Sequence, residues 1–121
     1  YTTFSLSDLR LERETIQPGE DLVATVRVTN TGDRDGDEVV QLYTTVPESA
    51  VERAPFELKG FKRVTVPAGE RVDVQITVRG EDLAYYDEER GWVVEPGPYV
   101  AIMGNQSLDP QALRGEFTVA E

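Results

Sequence analysis

The sequence predicts a single antiparallel all-β sandwich. Three observations carry that prediction: apolar residues recur at every second position, helical periodicity is almost absent, and turn residues return at intervals of about ten residues. Successive side chains of a strand point to opposite faces, so a period of two is what one packed face and one wet face impose.

Two runs show the pattern most cleanly. Leu22, Ala24, Val26 and Val28 alternate with Val23, Thr25, Arg27 and Thr29, and Val72, Val74, Ile76 and Val78 alternate with Asp73, Gln75, Thr77 and Arg79. Each follows a similar lead-in, Pro18-Gly19-Glu20 or Pro67-Ala68-Gly69-Glu70. There Pro is expected to fix φ at the second position of a turn, with Gly supplying the permissive backbone beyond it. Further strands are expected within 4–14, 38–45, 58–66, 92–95, 99–103 and 114–119, giving seven to eight in all. Within 4–14 the apolar register changes near Asp8, which suggests a bulge or a switch between sheets. The segment 80–85 reads as one helical turn between strands. A tyrosine at such a corner can tie the loop to the backbone through its hydroxyl, and Tyr85 or Tyr86 is expected to do so. Trp92 joins them as a structural anchor, in the core or between domains.

Composition then narrows the chemistry. At 121 residues the chain has the size of one domain and buries enough surface for one core. It contains no Cys, which excludes disulfides and thiolate zinc sites. It contains no His, which removes the commonest general base and excludes a Ser-His-Asp or Cys-His nucleophile. The net charge is −11, from 23 acidic and 12 basic residues, so neither nucleic acid nor an anionic membrane is an expected partner. No segment approaches the ~20 apolar residues of a membrane span. The chain opens at Tyr1 without an initiator Met, which suggests that it is cut from a longer polypeptide.

Acidic clusters were weighed as sites. Asp87-Glu88-Glu89 lies near Tyr85 and Trp92, but neighbouring carboxylates on a turn diverge and offer no cleft. Asp33-Arg34-Asp35-Gly36-Asp37-Glu38 lacks the spacing of a calcium loop and reads as a connection between strands. No catalytic, cofactor-binding or metal-ligating residue is therefore expected. The aromatics Tyr85, Tyr86, Trp92 and Tyr99 leave open a second reading, a platform on which a carbohydrate or another polymer stacks.

Several strings occur in a telling order: Asn30-Thr31-Gly32, then Gly36-Asp37-Glu38-Val39-Val40-Gln41-Leu42-Tyr43, then Glu57-Leu58-Lys59-Gly60-Phe61, and finally Trp92-Val93-Val94-Glu95-Pro96-Gly97. Together they resemble the fibronectin type III-like domain at the C-terminus of family 3 glycoside hydrolases, the β-glucosidase and β-xylosidase group. Tyr1-Thr2-Thr3-Phe4 resembles the start of that domain. Where the family often carries Arg-Pro-x-Lys before the Glu-Leu-Lys-Gly-Phe string, this chain has Arg53-Ala54-Pro55-Phe56. The resemblance implies a fibronectin type III-like (immunoglobulin-like) sandwich spanning 1–121. It also implies a parent that hydrolyses β-linked sugars with retention, through an aspartate nucleophile and a glutamate acid/base in preceding domains that map onto no residue here. The implied role is a non-catalytic accessory domain whose partners are the parent's catalytic domains.

The longest stretch without strand character is 46–56, and its Val51, Pro55 and Phe56 are the expected contacts with a neighbouring domain. Exposed in an isolated chain, they would form a patch that self-associates weakly.

Lys59 and Lys62 are the only lysines, and an acidic, Lys-poor surface suits a protein that stays soluble in high salt. A GC-rich genome that favours Arg, Asp and Glu codons yields the same composition. Salt adaptation predicts a melting midpoint that climbs as NaCl is raised from millimolar to molar. A midpoint indifferent to salt leaves codon usage as the explanation.

Overall fold

Alternation in the sequence becomes two sheets whose apolar faces meet. A computed structural model describes residues 4–51, 56–104 and 112–121. In chain order the strands are β1 (Phe4–Leu11), β2 (Thr15–Ile16), β3 (Leu22–Asn30), β4 (Gly36–Thr45), β5 (Glu57–Val66), β6 (Arg71–Val78), β7 (Ala84–Asp87), β8 (Gly91–Val94), β9 (Gly97–Gly104) and β10 (Leu113–Val119). A 3₁₀ turn at Gly80–Leu83 occupies the place where a single helical turn was expected. One sheet has the order β1-β3-β6 and the other β2-β10-β9-β4-β5. β7 and β8 form a separate two-stranded hairpin inserted between β6 and β9. Every long-strand pairing is antiparallel, and only the two-residue β2 runs parallel, to β10. β2 and β7 are the strands that the periodicity did not reveal.

The core lies where the two inner faces meet. Leu22, Ala24, Val26 and Val28 of β3 are fully buried beside Val74, Ile76 and Val78 of the neighbouring β6, and Val40 and Leu42 of β4 are fully buried in the other sheet. Tyr99 and Phe117 stack at 5.3 Å between ring centroids on neighbouring strands β9 and β10. Fully burying side chains of this size stabilises by about 1.5–3 kcal/mol each, which makes these faces the principal source of stability.

The register change near Asp8 is a bulge. Asp8 has φ 55°, and the pairing skips from Ser7 opposite Arg27 to Arg10 opposite Thr25. The extra residue moves the inward phase from Phe4 and Leu6 to Leu9 and Leu11, so all four pack against the core. A second bulge sits in β5, where Gly60 pairs with Leu42 and Leu58 with Tyr43, leaving Lys59 between. Gly60 faces inward, and a Cβ there would stand 2.7 Å from Ile76 Cγ2, so only glycine lets the sheets approach this closely.

The two lead-in turns differ in detail from expectation. Glu20 N–H donates to the Gln17 carbonyl, so Pro18 does hold the second position, followed by Gly19 at φ 86°. In the other turn Glu70 N–H donates to Pro67, which places Pro67 first and Ala68 second. Gly69, at φ 73°, still supplies the left-handed third residue that both turns require.

Asn30, first residue of the Asn-Thr-Gly string, is fully buried and joins three segments. Its Nδ2 donates to the carbonyls of Arg34 (2.7 Å) and Val66 (2.9 Å), and its Oδ1 accepts from Gly32 N–H (2.9 Å). Its backbone meanwhile accepts from Gly69 and donates to Glu70. Asn30→Ala would strand these buried groups and is expected to cost about 2–3 kcal/mol in a urea titration. A loss below about 0.5 kcal/mol would contradict this role.

Candidate interaction surfaces

Among the described residues, no group of three or more metal-ligating side chains converges. Exposed apolar and aromatic groups, and the residues that hold them, mark its surface. Three features emerge.

The first is the start of β9. Tyr99 is fully buried, and its hydroxyl donates to the Glu95 carbonyl at 2.8 Å, a tie reaching four residues upstream. This is the corner tyrosine of sandwich folds. The role expected of Tyr85 or Tyr86 is thus filled by Tyr99, because the β7–β8 hairpin intervenes after β6 and carries the corner to the start of β9. Tyr85's hydroxyl accepts from Arg90 at 3.2 Å, and Tyr86 stands 61% exposed. Glu95, itself buried, accepts from the Ser49 hydroxyl (2.7 Å) and from Ala50 N–H (2.6 Å), while Ser49 Oγ accepts from Val51 N–H (3.3 Å). One carboxylate thereby fastens the beginning of the 46–56 loop. That loop does not present the exposed patch expected of it where it is described: Val51 and Phe56 are half-buried, and Pro55 lies outside the described residues.

The second feature is the hairpin. Trp92 is 74% exposed, so it is no core anchor, and its ring meets Tyr86 edge-on at 5.4 Å. Two four-residue strands have no opposing sheet on this side to cover the indole. Trp92 borders a groove of about 670 Å³ lined by Gly19, Glu81, Asp82, Ala84 and Val94. At the hairpin tip the Asp87 carboxylate accepts from the N–H groups of Glu89 (2.8 Å) and Arg90 (3.0 Å). The acidic triplet is a turn whose first carboxylate serves the backbone.

The third feature is β5, the edge strand of the five-stranded sheet. Phe61 is 68% exposed and Leu58 48%, both on the outer face with Val39 beside them on β4. Lys59 turns the other way: it pairs with Glu57 at 2.9 Å and donates to the Asp82 carbonyl, bracing the 3₁₀ turn. Gln41, opposite Phe61 in register, holds an Oε1 that is buried without a hydrogen-bond partner.

Charges elsewhere are arranged as surface pairs. On the outer face of the three-stranded sheet, Arg27 pairs with Asp73 (3.2 Å) and Asp8 (3.1 Å), and Arg10 reaches Asp73 at 3.3 Å. The Arg27 hydrogen bond and charge, with Arg10 behind them, lower the pKa of Asp73. Asp37 is lowered by the Thr65 hydroxyl and then Arg63, Asp87 by the N–H groups of Glu89 and Arg90, and Glu20 by Gln17 N–H and Arg13. A carboxylate whose pKa is depressed by folding contributes stability above its unfolded pKa and loses it as pH falls toward the folded value.

Residues 38–107 match the fibronectin type III-like domain family. The chain is 42% identical to the probable β-glucosidase I of Aspergillus niger over 98% of its own length and 15% of that protein's. It superposes on a β-glucosidase from Erythrobacter marinus with TM-score 0.90 and 34% identity, covering 98% of this chain and 16% of that one. Against β-glucosidase 3B of Thermotoga neapolitana, in complex with α-D-glucose, the TM-score is 0.86 at 36% identity, over 100% of this chain and 16% of that one. The chain thus spans about 15% of the length of the curated relatives it matches.

The four depressed carboxylates predict acid sensitivity. Their contribution to the melting midpoint is expected to fade as pH drops from the ordinary carboxylate range toward the lower folded-state values, because the unfolded chain takes up these protons first. Their side-chain NMR titrations should run below the ordinary Asp and Glu values. Four titrations at ordinary carboxylate values would refute this.

Proposed function

The chain belongs to the fibronectin type III-like domain family, and from that premise we propose that it is a non-catalytic accessory domain of a family 3 glycoside hydrolase of β-glucosidase type. The observation that carries this reading is one of coverage: 98% of this chain aligns with 15% of a β-glucosidase. A retaining glycosidase needs two carboxyl groups about 5–5.5 Å apart across an open cleft. In this reading those groups, and with them the choice of sugar, belong to domains preceding this one in the parent. The domain's work is mechanical. It buries apolar surface against the catalytic domains, on a scale of about 600–1,500 Å² for interfaces between domains.

A second reading has one observation in its favour, the exposed Trp92 at the rim of an acidic groove. Indole faces stack on sugar rings, so Trp92 would hold a polysaccharide near the parent's active site. Retention of the isolated chain on insoluble cellulose or xylan, abolished by Trp92→Ala, would favour it.

On the accessory reading, the isolated chain releases no aglycone from aryl β-glucosides. Its deletion from the parent lowers melting midpoint and soluble yield before it changes kcat/KM. Hydrolysis by the isolated chain, in a preparation free of other glycosidases, would overturn the proposal.

A further inference from the structure

We propose that the outer face of β5 is the surface through which this domain docks, and that its occupant is an acidic-rimmed apolar surface on the catalytic part of the same polypeptide. The inference rests on the accessory reading above and adds to it a location and a chemistry.

Three observations converge on β5. Its Phe61 and Leu58 are two of the large apolar side chains most exposed among the described residues, and Val39 continues the patch onto β4. Unlike the hairpin that carries Trp92, this face belongs to a five-stranded sheet backed by the core, so its shape is fixed before contact. β5 is also locally basic. In a domain of net charge −11, both lysines and Arg63 lie within Glu57–Val66. Arg63, opposite Val39, stands on the same outer row as Phe61, whereas the exposed Lys62, opposite the buried Val40, leaves from the other side of the strand at the sheet's open edge. A carboxylate-bearing surface would be drawn to this strand and repelled by the rest of the domain.

The orphaned Oε1 of Gln41 lies in the same register row as Phe61. A rotation about its last torsion would turn the amide toward a donor arriving over Phe61.

Edge strands are commonly guarded by lysine against stray pairing, and that accounts for Lys62 taken alone. It does not account for Phe61 and Leu58, which an edge under that pressure avoids. The length of relatives outside the matched segment supplies the occupant: this chain corresponds to 15% of β-glucosidase I, leaving ample surface in the same polypeptide.

The test uses the full-length polypeptide carrying this domain. Phe61→Ser with Leu58→Ser should lower its melting midpoint by a few degrees and speed proteolysis between the domains. Arg63→Glu should do the same more weakly, with an effect that shrinks as salt is added. Trp92→Ser, removing the other exposed aromatic, should leave both readouts unchanged and serves as the control. Because Phe61 and Leu58 are exposed, the double variant of the 121-residue chain alone should melt as wild type does. If deleting the whole domain destabilises the polypeptide while the β5 variants do not, the docking face lies elsewhere and this inference fails with the accessory reading intact. If deletion itself has no effect, the accessory reading fails. Concentration-dependent dimerisation of the isolated chain that Phe61→Ser abolishes, without any effect in the full polypeptide, would assign the face to a second copy and overturn the proposal.

Discussion

Much of the architecture turns on the hydrogen bond from the buried Tyr99 hydroxyl to the Glu95 carbonyl. It fixes how the chain turns out of the β7–β8 hairpin and into the core, at a point where Tyr99 also stacks on Phe117. Holding the Glu95 backbone there aims the Glu95 carboxylate at Ser49 and Ala50, so the loop after β4 is fastened by the same few residues. A buried carboxylate is costly to strand, and one that accepts from a hydroxyl and a backbone N–H is tolerated because those bonds replace water. The sandwich, the inserted hairpin and the 46–51 segment therefore share one junction.

The outer faces of the two sheets have opposite characters, and that difference carries the functional argument. The three-stranded sheet turns Arg10, Arg27, Asp8 and Asp73 to solvent in a cross-strand network, a surface already satisfied by water and by itself. At the β4–β5 end the five-stranded sheet turns out Phe61, Leu58 and Val39 instead. Exposed ion pairs contribute little to stability, whereas exposed apolar side chains of this size gain when covered. A domain with one finished face and one unfinished face is built to be part of something larger. Its coverage of about 15% of a β-glucosidase agrees with that asymmetry.

The sequence made the sandwich legible because period-two burial is a local pattern. β3 and β6 were readable residue by residue, and so was the Asp8 bulge, since an extra residue shifts the apolar phase from Leu6 to Leu9. What escaped depended on partners distant in sequence. β2 is two residues long and exists because β10 runs beside it. Local sequence points to Tyr85 or Tyr86 as the corner tyrosine because both follow β6 directly, whereas Ala84–Asp87 pairs with Gly91–Val94 and moves the corner to Tyr99. Trp92 and Phe61 are large and apolar, the kind of residue expected inside, yet both stand exposed among the described residues. Glu95 gave only a weak signal, an acid in an otherwise apolar Trp-Val-Val-Glu-Pro-Gly run, and nothing local pointed to Ser49 and Ala50 as its partners.

The Tyr99–Glu95 junction is the shared fastening of core, hairpin and loop. Native-state hydrogen exchange of the Ala50 amide tests it most directly, because that N–H is held by the Glu95 carboxylate at 2.6 Å. The account predicts an amide protected in the wild-type chain and freed by Glu95→Ala, while amides of β3 and β6 keep their protection. An Ala50 amide that exchanges freely in the wild type, or that stays protected without the carboxylate, would contradict it.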